Sequence, residues 1–126
     1  MKTKPLIQSV ALALSALALH PAMAHGVAQP SHGGTVQEAN DVSFELVAEA
    51  DGVTLYLTDH DEPLSSKGIS GKLTVLQSAQ KTEAEVKSAG DNKLRATGLK
   101  VGPGAKVVAV LNKVEGQTVT LRFTVK

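Results

Sequence analysis

The chain has 126 residues, with 13 basic against 12 acidic side chains, and contains neither cysteine nor tryptophan. Without cysteine there is no disulfide, no thiolate metal ligand and no cysteine nucleophile. The balanced charge, with no basic run and no aromatic cluster, offers nothing for nucleic acid to bind, and the length suits one small domain.

The N-terminus reads as an export signal. Lys2 and Lys4 precede an almost wholly apolar run from Leu6 to Leu19, and Ala22-x-Ala24 is a small-residue cleavage site. The run is too short for the ~20 residues of a membrane-spanning helix. Cleavage after Ala24 divides the chain into a signal peptide (1–24), an arm rich in His and Gly (25–34) and a folded domain (35–126). Losing Lys2 and Lys4 takes 13 basic residues to 11, against 12 acidic, a net charge of −1. The mature protein is therefore expected to be exported, without a membrane span. The arm, HGVAQPSHGG, shows no periodicity and reads as a flexible lead-in.

From Thr35 the pattern is period two. Thr35 to Ala39 reads as a weak strand ending at the turn pair Asn40-Asp41. Val42 to Ala50 and Val53 to Asp59 flank Asp51-Gly52, a strong hairpin signal because both turn residues tolerate positive φ. A two-residue loop there pairs Ala48 with Leu55 and Leu46 with Leu57 on the inner face. Glu45 then pairs with Thr58, and Ser43 with His60, on the outer face.

Glu62 to Gly71 is rich in Ser and Gly and reads as a long loop. Strands follow over Lys72 to Gln77, Lys81 to Lys87 and Lys93 to Thr97, the last after the turn Gly90-Asp91-Asn92. Gly98 to Gly104 is a loop, in which Pro103 blocks strand pairing. Lys106 to Leu111 is apolar on both faces and reads as a central or doubly covered strand. Val119, Leu121, Phe123 and Val125 alternate with polar residues in a last strand. Seven to eight short strands with regularly spaced turns predict an all-β, antiparallel β-sandwich of immunoglobulin-like type. With Phe44, Phe123 and Tyr56 as the only aromatics, its core must be Val, Leu and Ala.

Three places carry chemistry. A mature N-terminal His25 places an α-amine beside an imidazole, two nitrogens that lose their protons near neutral pH and can chelate one ion. Nitrogen donors in tetragonal geometry favour Cu(II), with Zn(II) and Ni(II) less well suited. His32, before Gly33-Gly34, is a second candidate ligand. Asp59-His60-Asp61-Glu62 is the third, with Asp59 or Asp61 able to orient the ring of His60. Antiparallel pairing of the first two strands would put His32 and His60 at opposite ends of the sheet. The nine residues from His25 to Gly33 could bridge up to ~30 Å between them. No GxSxG elbow, Ser/His/Asp arrangement or phosphate-binding loop accompanies them, so no enzyme is expected.

The segments His32-Gly33-Gly34, Phe44-Glu45-Leu46-Val47, Leu55-Tyr56-Leu57-x-Asp59, Gly90-Asp91-Asn92-x-Leu94 and Val119-x-Leu121-Arg122-Phe123 resemble a pattern in small exported proteins of Gram-negative bacteria. Related segments occur in the periplasmic part of some heavy-metal efflux adaptors. The resemblance implies a periplasmic home and metal handling. A more distant likeness is to periplasmic copper-resistance β-sandwiches whose mature chain begins with His. Only that terminal His carries over, because no histidine follows His60.

The sequence thus predicts a periplasmic metal-binding protein that takes Cu(II) at His25, with His32 or His60 and its flanking Asp59 and Asp61 in support. Its role would be metal buffering or delivery to an efflux-system adaptor. The alternative is a metal-independent envelope interaction module, docking its sandwich or an edge strand against a partner.

Overall fold

The computed structural model describes residues 28–126; the expected signal peptide and His25 lie outside them. Nine strands form: β1 (Thr35–Ala39), β2 (Val42–Glu49), β3 (Gly52–Asp59), β4 (Glu62–Pro63), β5 (Ser70–Gln77), β6 (Gln80–Ser88), β7 (Lys93–Thr97), β8 (Lys106–Val114) and β9 (Gln117–Thr124). Every pairing is antiparallel, so the all-β antiparallel expectation is met. Among the described residues no helix is long and apolar enough to cross a membrane.

The strands make one sheet in the order β1-β2-β3-β7-β6-β5-β8-β9, with β4 attached to β3. This sheet curls until its two end strands, β1 and β9, lie side by side, giving a nearly closed barrel. Its two halves face each other across a single core. Val42, Phe44 and Leu46 of β2 meet Leu55 and Leu57 of β3, Leu73 of β5, Leu94 of β7, Leu111 of β8 and Phe123 of β9, all buried. The alternation of apolar and polar residues generates this single enclosed face. Two other devices hold the long connection after β4. Buried Ser66 bonds through Oγ to Ser88 Oγ (2.7 Å) and to the carbonyl of Asp91 (3.1 Å), and Leu64 N donates to the Leu57 carbonyl (3.1 Å).

Tight turns join the neighbouring strands. Asn40-Asp41, His60-Asp61 and Ser78-Ala79 all have positive φ at both positions, as two-residue hairpin loops of the favoured hand require. The expected Asn40-Asp41 turn is present. The other two are carried by residues with weaker turn signals, and β4 follows from the His60-Asp61 turn.

The β2–β3 hairpin differs from the sequence expectation by two residues. Glu49 pairs with Gly52, Leu46 with Leu55 and Phe44 with Leu57, so the loop is Ala50-Asp51. A two-residue shift keeps every side chain on its expected face, which is why alternation could not detect it. Tertiary contacts chose the register. None of Ala50, Asp51 and Gly52 has positive φ. Instead Gly52 lies within β3, where a Cβ would collide with the Ala96 carbonyl oxygen of β7. Asp51 grips Arg95 (Nη2 to Oδ1, 2.7 Å), and Arg95 Nη1 reaches Glu49 Oε2 (2.9 Å). The Asp51 carbonyl also accepts from Gly98 N (2.9 Å).

Of the two readings of Lys106 to Leu111, central or doubly covered, the first holds for β8. It runs between β5 and β9 and extends to Val114 through an irregularity after Leu111. Its second apolar row is not covered: Val108 is half-buried and Val110 is 37% exposed.

Gly52→Ala is expected to lower the urea midpoint, with a destabilisation of about 1–3 kcal/mol as the β3–β7 backbones are forced apart. An unchanged midpoint would show that the glycine is not fixed by the neighbouring strand.

Candidate metal centre at the N-terminal arm

On the outer face of β2, where polar side chains usually meet water, Glu45 is only 6% exposed. The covering is the arm that precedes β1. Glu45 Oε1 accepts from Ser31 N (3.0 Å), and Oε2 accepts from His32 N (2.8 Å) and Gly34 N (2.8 Å). His32 Nδ1 lies 3.0 Å from Oε1. The carboxylate thus meets three backbone donors and one imidazole.

The motif His32-Gly33-Gly34 makes this fold-back possible. Gly33 has φ +71°, a conformation that costs glycine little. At Gly34 a Cβ would strike the Leu46 carbonyl oxygen and come within 2.9 Å of Glu45 Cγ. One glycine turns the chain and the next lets it lie against β2. The imidazole of His32 then stacks on Tyr56, with ring centroids 3.6 Å apart and planes 6° from parallel. Tyr56 stands opposite Glu45 in the observed register. Ser31 to Gly34 are therefore pinned across the middle of the hairpin, and His32 does not project from the end of the sheet as the sequence suggested.

Burial pushes the Glu45 carboxyl up, but the imidazole of His32 and the N–H groups of Gly34, His32 and Ser31 outweigh it and hold the acid below its ordinary value of 4.5. An ionised carboxylate only accepts hydrogen bonds, so Nδ1 of His32 carries the proton in that contact. In the neutral ring Nε2 then holds the lone pair. A carboxylate behind Nδ1 is how metal-binding histidines are commonly oriented.

His60 sits in the β3–β4 turn with its side chain 84% exposed, and its Nδ1 lies 2.5 Å from Asp59 Oδ1. Asp61, the other half of the turn, is exposed. Asp59 is three residues along β3 from Tyr56, about 10 Å at ~3.3 Å per residue, so the two histidines occupy separate places. Among the described residues no three His, Asp or Glu side chains converge to hold a metal ion. His25 lies outside the described residues.

Sequence reasoning missed Glu45 and Tyr56. Glu45 looked like one more outward-facing polar residue, and the shifted register set it opposite Thr58. The available signal was the glycine pair beside a histidine, which marks a backbone about to make a close approach.

No protein-family model, curated protein or solved structure matches the chain significantly. The class defined by the structure is thus an antiparallel, nearly closed β-fold with an N-terminal arm latched to its outer face.

Because its pKa is lowered on folding, Glu45 contributes stability that is fully present above pH 4.5 and lost as pH falls through its folded-state value. Glu45→Gln should cost about 1.5–3 kcal/mol at neutral pH. It should also flatten the fall of the urea midpoint between neutral and acid pH, and speed amide exchange at Ser31, His32 and Gly34. Identical acid limbs in both proteins would remove Glu45 as the anchor.

Proposed function

We propose that the chain is a periplasmic metal-binding protein that takes Cu(II) at its N-terminal arm, for buffering or delivery to an efflux system. The donor set is the α-amine and imidazole of His25, exposed by cleavage after Ala24, together with Nε2 of His32. The observation that carries this reading is the buried Glu45, which holds the Nδ1 proton of His32 and leaves Nε2 as the metal-facing nitrogen. Glu45 is a positioning residue, since it touches the imidazole and not the ion. Three nitrogen donors suit Cu(II), and Zn(II) or Ni(II) less well. His32 lies seven positions after His25, enough chain to close a chelate.

Asp59 and His60 form a similar carboxylate–imidazole pair, but with Asp61 they offer only a weak, exposed subsidiary site. The quoted resemblance to efflux-adaptor segments supports the same role.

Protein isolated from periplasm should begin at His25 by intact mass and bind one Cu(II) in a nitrogen-rich site. His25→Ala and His32→Ala should each weaken binding, and Glu45→Gln should weaken it about 10–100-fold, the usual cost of losing a ligand's orienting partner. His60→Ala should leave the tight site unchanged. A different N-terminus, or equal copper affinity in the His25 and His32 variants, would defeat the proposal.

A further inference from the structure

The curled sheet does not close. β1 and β9 run side by side, yet no backbone ladder joins them. One end of this seam is tied by Asn40 Nδ2 donating to Gln117 Oε1 (2.8 Å). The other end opens as a groove lined by Thr35, Gln37, Leu76, Lys106, Val108 and Arg122, among others.

The groove's chemistry is one-sided. Lys81, Lys106 and Arg122 line it, and no carboxylate does. Lys81 is partly neutralised by Glu83 (3.3 Å) just outside. Lys106 Nζ donates to the hydroxyl of Thr124 (3.1 Å), and among the described residues neither Lys106 nor Arg122 has an ion-pair partner. Between these cations lies Leu76, 49% exposed and the most exposed large apolar side chain among the described residues. An apolar floor beneath two uncompensated cations matches one kind of occupant.

We propose that an extended segment of a partner protein, alternating apolar and acidic side chains, lies in this groove across the outer faces of β5, β8 and β9. Its apolar side chains would cover Leu76 and Val108, and its carboxylates would meet Lys106 and Arg122. The chain's own first 27 residues are a poor fit, since they contain Lys2 and Lys4 and no Asp or Glu. The groove begins at Thr35, next to the arm, but shares no residue with the Glu45–His32 latch and does not depend on metal.

Selection of a displayed library of random eight-residue peptides on the full chain tests the idea. Enriched peptides should alternate apolar and acidic residues. A representative should bind more weakly as salt rises and should shift the amide resonances of Thr35, Gln37 and Thr118 to Thr124. A double variant, Lys106→Glu with Arg122→Glu, should lose about tenfold in affinity for that peptide and should enrich basic sequences instead, with its thermal unfolding unchanged. Three results would overturn the proposal: no acidic enrichment, affinity indifferent to the charge reversal, or resonance shifts confined to another face. Binding of phosphatidylglycerol vesicles without any peptide would reassign the groove to a membrane surface. Dimerisation in sedimentation that the double variant abolishes would reassign it to a second copy. Either result also overturns the proposal.

Discussion

Along the long strands of this protein one row of apolar side chains is buried, and a sheet with a single buried face must cover that face with something. Here no helix covers it among the described residues, so the sheet covers itself by curling. The core it encloses is built from Val, Leu and Ala with Phe44 and Phe123. Such side chains fill space in small increments, and the register of each pair decides whether they interdigitate. The β2–β3 hairpin shows how strict this is. Its register is set where β7 presses against Gly52 and where Arg95 joins Glu49 to Asp51.

The arm extends the same economy to the outer face. A carboxylate buried without partners is strongly unfavourable, yet Glu45 has four donors directed at its two oxygens. The ordering cost of the arm is offset by charge-assisted hydrogen bonds and by stacking of His32 on Tyr56. A consequence for chemistry follows directly. A carboxylate that fastens a backbone also fixes the tautomer of the imidazole beside it, so one residue serves both stability and ligand orientation. That coupling ties any metal affinity of His32 to the integrity of the latch.

Curling without closure leaves its own signature. A fully closed barrel has no edges, whereas this sheet keeps two, tied at Asn40 and Gln117 and open near Thr35 and Thr124. Short, charged edges are the usual protection against unwanted strand addition. β1 is five residues long, and β9 presents Arg122 beside Lys106. These cations repel another basic edge and favour an acidic one, so protection and selectivity arise from the same side chains.

Alternation along the chain by itself determined the strands, their faces and the antiparallel class, because a period of two survives whatever the partner. It also marked Asn40-Asp41 as a turn, through the positive φ those residues tolerate. It could not fix pairing to better than two residues, since a shift of two leaves each side chain on the same face. Thus Asp51-Gly52 looked like the turn, while contact with Ala96 and Arg95 moved the loop to Ala50-Asp51. Local sequence named His32, His60, Asp59 and Asp61 as chemically able residues, but not their surroundings. Only the tertiary structure brought Glu45, from mid-strand, onto the imidazole of His32, and set His60 apart with Asp59. The reason is distance in sequence: Glu45 and His32 are joined through a fold-back at Gly33 and Gly34, whose geometry depends on the strand they lie against.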